Sequence, residues 1–390
     1  MKDLSNFANI GVNSIITDKE RLTESMRKFL YDRVWCDDDL LEGFTQGEID
    51  EIISRTLDRD FSTISQFLAV LLEDEANEYM KEQYKYFPQT KDELQLIIKH
   101  RIRVEGNEVN LNDIDVSAIT DMFELFKDMQ NFNGDISGWD VSNVTTMKYM
   151  FDRCYDFNQD LSKWDVSKVT DMNGMFFECR SFNQDLSQWN VSKVTNMSFM
   201  FDSCICFNQD LSKWDVSNVE DMSFMFDGCK SFNQDLSQWN VSKVTDMSFM
   251  FDSCELFNQD LSKWDVSKVT SMRGMFSSCE SFNQDLSEWD VSNVLYMESM
   301  FLGCKSFNQD ISNWDVSNVT DMNGMFDGCY DFNQDISNWN VLNVTDMSFM
   351  FDGCKSFNQD LSKWNVSKVT NMSFMFYKCP IEEEYKPKFK

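Results

Sequence analysis

Phe207-Asn208-Gln209-Asp210-Leu211-Ser212-Lys213-Trp214-Asp215-Val216-Ser217-Asn218-Val219-Glu220-Asp221-Met222-Ser223-Phe224-Met225-Phe226-Asp227-Gly228-Cys229-Lys230-Ser231 is one copy of a 25-residue unit. Ten tryptophans, Trp139 to Trp364, mark ten full frames of it. Residues 111–129 form a degenerate first copy, with Ile114 in the tryptophan position and Met129 in the cysteine position. Self-similarity at a fixed period is the signature of a solenoid, in which stacked units share one continuous core.

Two periodicities run through the unit. Leu211-x-x-Trp214-x-Val216-x-x-Val219 has the spacing of a leucine-rich repeat, and predicts a short strand carrying the inner apolar residues. Met222, Met225, Phe226 and Cys229 fall at i, i+3, i+4 and i+7, which predicts a short helix. Phe232 packs inward where the chain returns. The expected fold class is therefore an α/β repeat solenoid of parallel short strands and short helices. At about 4.8 Å between strands, the array extends roughly 50 Å.

Around the array the chain reads differently. Leu22, Met26, Phe29 and Leu30 lie on one helical face, and Thr45 with Glu48 reads as a capping box before Ile49, Ile52 and Ile53. Thr90 caps a further helix with Asp92 and Glu93 in its first turn. The expected organisation is a small all-α N-terminal domain over 1–89, a capping helix and lead-in over 90–110, the solenoid over 111–381 and a charged tail over 382–390.

Composition narrows the function. The 390 residues carry a formal charge of −31, which repels nucleic acid and anionic membranes. No apolar run is long enough to span a membrane. The N-terminus, MKDLSNFANIGVNSIITDKE, lacks the apolar core of a secretory or lipoprotein signal, so by sequence the protein is expected inside the cell. Ten of the twelve cysteines recur at one repeat position, Cys154 to Cys379. They read as a buried column of thiols, with disulfides between neighbouring rungs as the alternative.

Chemistry-bearing constellations are missing from the sequence. The single histidine, His100, sits between Lys99 and Arg101, so no Ser-His or His-metal set can form. Cys204-x-Cys206 is too closely spaced for a zinc half-site. Paired carboxylates recur in every unit, whereas a catalytic pair needs a pocket of its own. We expect neither catalytic residues nor a cofactor. The asparagine after each Phe suits hydrogen bonding at the bend. The aspartate column of Asp210 and Asp235 repels itself unless amide donors or a cation, such as calcium, compensate it.

Binding residues are sought where the repeat varies. The strand columns that begin at Lys163 and Asp140 are polar and monotonous. The column before the second Met alternates in size: Tyr149, Gly174, Phe199, Phe224, Phe249, Gly274, Ser299, Gly324, Phe349 and Phe374. A core position holds its volume, so Phe199, Phe224, Phe249, Phe349 and Phe374 are candidate contacts. The alternative is that each ring lies over its neighbouring rung. Leu295 and Tyr296, with Leu302 nearby, replace the usual polar residues, and Leu342 breaks a serine column.

The pattern F-N-Q-D-[LI]-S-x-W-[DN]-V-S-x-V-T-x-M-x-x-M-F-x-x-C resembles the BspA-like leucine-rich-repeat family, also described as the mycoplasma-type surface lipoprotein repeat. It covers about 270 of the 390 residues. The segments Thr90–Leu94 and Leu111–Ser117 resemble the lead-in of such domains. The resemblance implies a curved parallel solenoid and a role in surface attachment or protein binding, at a cell surface or virion. Together these readings favour a non-enzymatic protein-binding or adhesion scaffold whose ligand is a protein or a glycan. Two alternatives stand beside it: a structural or virion-associated component docked by its N-terminal domain, and an intracellular effector whose repeats select the target.

Overall fold

The computed structural model describes residues 86–388, and the helices expected before Pro88 lie outside them. The chain divides into two compact units, residues 1–119 and 120–390. The described part of the first unit holds helix α1, Lys91–Glu105. Thr90 Oγ1 accepts from the Glu93 N–H at 3.3 Å, and Asp92 and Glu93 face the positive end of the helix. Gly106, at φ +91°, ends α1 by donating its N–H to the Ile102 carbonyl at 2.8 Å. Leu94, Ile97 and Ile98 are buried on the inner face. Arg101 ties α1 to the following loop through two hydrogen bonds to Asp113, at 3.0 and 2.9 Å.

The second unit is a repeat solenoid. Its core columns are those the apolar spacing picks out. Trp214, Val216, Val219, Met222, Met225, Phe226, Cys229 and Phe232 are all buried, as are nearly all their equivalents from Val141 to Val366.

The local structure differs from the expectation. No strand runs along Leu211–Val219, and no helix covers Met222–Cys229. Each rung is instead a succession of tight turns. The N–H of Trp214 donates to Leu211 at 3.0 Å, Val219 to Val216 at 2.9 Å, Met225 to Met222 at 3.2 Å and Cys229 to Phe226 at 3.0 Å. The α/β reading fails for a physical reason. Phe224 has φ +59° and Gly228 φ +67°, and their equivalents in all eleven rungs are left-handed as well. A helix needs every residue right-handed. Two left-handed residues within seven make the chain turn back and forth instead.

That alternation fixes the stacking. The N–H groups of Met222, Phe224, Phe226 and Gly228 donate to the carbonyls of Asp246, Ser248, Met250 and Asp252 in the next rung, at 3.1, 2.8, 2.9 and 2.8 Å. The same four bonds recur at every step from Met122 to Gly353. Isolated parallel bridges such as Asp221↔Asp246 mark the one point per rung with β-pairing. One bond per step runs the other way, from the Thr245 N–H back to the Glu220 carbonyl at 2.9 Å.

Side chains satisfy carbonyls the backbone leaves over. Trp214 Nε1 donates to the Leu186 carbonyl at 3.0 Å, and Cys229 Sγ to that of Phe201 at 3.0 Å. From Cys154 to Cys354 the column cysteines are buried thiols rather than inter-rung disulfides, and burial pushes them above the usual thiol range. Asn208 Oδ1 accepts from the Asn233 N–H at 3.0 Å and from Gln234 Nε2 at 2.9 Å, one rung on. Rings stack along the axis: Trp214 on Trp239 at 6.5 Å and 1°, and Phe226 on Phe251 at 5.7 Å and 7°.

Trp239→Phe removes the donor to the Leu211 carbonyl and part of a buried ring. We expect a loss of about 2–3 kcal/mol in urea unfolding, from the cavity and the orphaned carbonyl together. Cys254→Ala, which removes only a weak S–H donor from the Phe226 carbonyl, is expected to cost less. Equal costs for the two would contradict this ranking.

Candidate interaction surfaces

The aromatic column stands on the first left-handed position of each rung. Tyr149, Phe199, Phe224, Phe249, Phe349 and Phe374 have φ between 52 and 59°, as does Ser299 at 57°. A left-handed residue with a side chain costs roughly 1–2 kcal/mol, and glycine does not bear that cost. Gly174, Gly274 and Gly324 hold the same conformation in their rungs. Each ring before Phe374 leans over the following rung. Phe199 stacks on Phe224 at 4.5 Å and Phe224 on Phe249 at 4.8 Å. Phe249 lies across Gly274, where an added Cβ would meet the ring at 2.4 Å, and Tyr149 lies across Gly174 in the same way.

Volume therefore varies along this column because ring and glycine are complementary between rungs. Phe199, Phe224 and Phe249 are half-buried in a ladder, while Phe349 is 38% and Phe374 59% exposed. Phe177 meets Phe199 edge-on at one end, and Gly274 covers Phe249 at the other. The three-ring ladder consequently offers ring edges to solvent, and its faces are taken.

Leu295 and Tyr296 are exposed, and a third residue joins them. The Arg273 guanidinium sits 4.4 Å over the Tyr296 ring and pairs with Glu298. Burial raises the Glu298 carboxyl despite that pairing. Arg273 directly precedes Gly274, so this cluster adjoins the end of the phenylalanine ladder. Its signal in the sequence is its column, which holds Ser198, Ser223, Ser248 and Ser348 in other rungs. Arg and Tyr are over-represented among residues that anchor interfaces. Leu342 is exposed but stands apart; no ring contact or hydrogen bond among the described residues joins it to either cluster.

The polar columns are occupied by local turns. Asp210, Asp215 and Asp221 each accept, through Oδ1, the N–H of the serine two residues on, at 2.8, 3.1 and 2.9 Å. Hydrogen bonds from the Ser212 hydroxyl and N–H hold Asp210 below the usual carboxylate range. Amide donors thus compensate the aspartate column, and no group of three or more potential ligands is gathered for a metal among the described residues. The columns beginning at Lys163 and Asp140 do not form the concave face of a sheet, because the backbone there is turned rather than extended.

A second aspartate column was not singled out by the sequence. Asp202, Asp227 and Asp252 occupy successive rungs just after the core Phe. Burial, reinforced by Asp202 and Asp252, pushes Asp227 up to about 8. Burial likewise raises Asp202 to about 6, although Ser203 donates to it.

A scan against protein families finds one that matches three stretches, 99–213, 195–309 and 280–386: Mycoplasma protein of unknown function, DUF285. These overlapping stretches cover well over half of the chain. The chain belongs to this family. No curated protein matches it. In this DUF285 chain the core columns of the 25-residue unit are buried and repeat, while the first left-handed column varies. No described helix is long and apolar enough to cross a membrane.

Two outcomes follow from this geometry. Gly274→Ala is expected to destabilise strongly, through its left-handed backbone and the clash with Phe249. In a Phe249→Ala background only the backbone part, about 1 kcal/mol, should remain. Purely additive unfolding energies in that double-mutant cycle would contradict the ring-over-glycine packing.

The raised aspartates give a pH dependence of definite sign. The folded chain binds these protons more tightly than the unfolded one, so their contribution is fully present below about pH 4. It is lost as pH climbs through about 6 for Asp202 and about 8 for Asp227. Asp227→Asn should therefore raise the melting temperature at pH 8.5 and leave it nearly unchanged at pH 4. An equal shift at both pH values would refute the assignment.

Proposed function

We propose that this DUF285 protein is a non-enzymatic scaffold that binds another protein, with its contacts in the aromatic column and the neighbouring Arg273–Tyr296 cluster. The observation that carries the reading is Phe at left-handed positions. Ring stacking contributes roughly 0.5–1.5 kcal/mol per pair beyond the area it buries, set against a strain of about 1–2 kcal/mol for the conformation. Glycine meets the same backbone demand at Gly174, Gly274 and Gly324. Phe199, Phe224 and Phe249 are only half-buried by that stacking, and the ring edges they leave in solvent are what a partner would contact. A protein partner is favoured over a glycan because sugar rings bind aromatic faces, and this ladder exposes edges. The kinship to BspA-like leucine-rich repeats and an adhesive role at a surface belong to the same proposal. So do the alternatives of a virion-associated component and of an effector that selects targets with its repeats.

The test is affinity capture with the intact chain from cells that the source organism contacts. It is run beside a Phe199→Ser, Phe224→Ser, Phe249→Ser variant and an Arg273→Ser, Tyr296→Ser variant. Ser299 shows that serine suits this column. We expect a specific protein to be retained by the intact chain and lost by one or both variants while their melting curves stay cooperative. Retention unaffected by either variant, or enzymatic turnover by the chain, would overturn the reading.

A further inference from the structure

In every rung but the last, four backbone N–H groups donate along the axis to the next rung. In the last rung the equivalent groups belong to Met372, Phe374, Phe376 and Lys378, and no described residue accepts from them. The edge is nevertheless preformed. Phe374 and Lys378 keep φ +59° and +56°, the values of their equivalents in the stack. These N–H groups, on alternate residues, point the same way along the axis, as an open edge that favours carbonyl oxygen.

The other half of the same end is closed. Ile381 is buried; the Glu382 N–H donates to Asn358 Oδ1 at 2.9 Å, and the Leu361 N–H to the Tyr385 carbonyl at 2.8 Å. The Glu382 bond reproduces the asparagine ladder, so this segment stands in for part of a following rung. It reaches the Met372–Lys378 half only at Phe376, whose ring lies 5.8 Å from Lys386 Nζ. There Val369, Met372 and Phe376 are partly exposed, whereas Val344, Met347 and Phe351 one rung earlier are fully buried. Phe374 is 59% exposed, and Tyr377 beside it, at 5.8 Å, is exposed too.

We propose that this half-open edge, Met372–Lys378, is a docking edge for a segment of a partner protein, which adds to the stack as a further rung. The segment would present backbone carbonyls at alternate residues and apolar side chains between them. Charge decides the occupant. The edge carries donors only, so a second copy meeting it symmetrically would set N–H against N–H. Lys378, exposed over the Tyr377 ring at 4.9 Å, adds positive charge to the same edge. Main-chain pairing at an open edge, with pockets for alternate side chains, is an established way to recognise an extended peptide. The inference rests on the protein-binding reading but uses residues apart from the phenylalanine ladder.

The probe is a fluorescein-labelled synthetic peptide with the sequence of residues 243–257, which carries the carbonyls of Asp246, Ser248, Met250 and Asp252 that accept these bonds within the stack. We expect a saturable rise in anisotropy on titration with the full chain. Phe374→Asp and Tyr377→Asp should weaken it about tenfold or more, as expected for loss of an anchoring aromatic. The Phe199→Ser, Phe224→Ser, Phe249→Ser variant should bind as the parent does, which keeps failure of the ladder reading distinct from failure of this one. Amide exchange at Met372, Phe374, Phe376 and Lys378 should slow on binding. Absence of saturable binding, binding indifferent to Phe374→Asp, or unchanged exchange at those amides would overturn the proposal. Self-association of the chain alone that is abolished by Phe374→Asp would also overturn it, by making a second copy the occupant.

Discussion

Two left-handed residues per rung set the rest of this structure. At Phe224 and Gly228, and at their equivalents throughout, the chain reverses its local twist. The peptide units that end at Met222, Phe224, Phe226 and Gly228 then all point the same way along the axis. Each offers its N–H to the following rung and its carbonyl to the preceding one. No rung can satisfy these groups alone, and an unpaired buried N–H costs about as much as a lost hydrogen bond. A shift by one residue would set donors against side chains, so the 25-residue period is enforced by the backbone and not only by the core.

The side chains complete that polarity in the opposite sense. Trp214 and Cys229 donate backwards, to the carbonyls of Leu186 and Phe201. This explains why those positions hold a large ring with one N–H and a small thiol. Phe in place of Trp packs but does not donate. Ala in place of Cys leaves the Phe carbonyl facing only carbon. The aspartates follow the same logic on the outside. Each Asx turn uses a carboxylate to hold a backbone N–H that the irregular chain leaves over. Much of the −31 charge is thus structural in origin.

The core was legible because apolar spacing reports burial whatever the backbone does. Met222, Met225, Phe226 and Cys229 share one side of a helix, and they share the inner side of a run of turns equally well. Spacing alone therefore could not separate the two. Other residues could. Glycine appears at 174, 274 and 324 in one column and at 228, 303, 328 and 353 in another, and all seven are left-handed. Recurrent glycine four residues apart within a supposed helix argues against that helix. The triple D-x-S spacing at Asp210, Asp215 and Asp221 likewise announced turns in place of a strand. The candidate contacts were only partly legible. Size variation located the phenylalanine column but misstated its exposure, because the complementarity of Phe249 to Gly274 acts between residues 25 apart. Arg273 escaped notice because its significance lies in its column and not in any motif.

These constraints leave the repeat little room to vary, and that limits where recognition can evolve. Core columns are locked by stacking, asparagine and glutamine by the ladder, and aspartate by its turn. The first left-handed column is different. It demands a backbone conformation and, apart from the glycines that lie under Tyr149 and Phe249, accepts varied side chains, so Glu124, Tyr149, Phe224, Ser299 and Gly324 all occupy it. A position that is conformationally fixed and chemically free is rigid without being committed. Side chains placed there start from a backbone already ordered by the stack, so binding through them costs less conformational entropy than binding through a loop. The same strain that makes the column costly to fill also makes it a preorganised place from which to contact a partner.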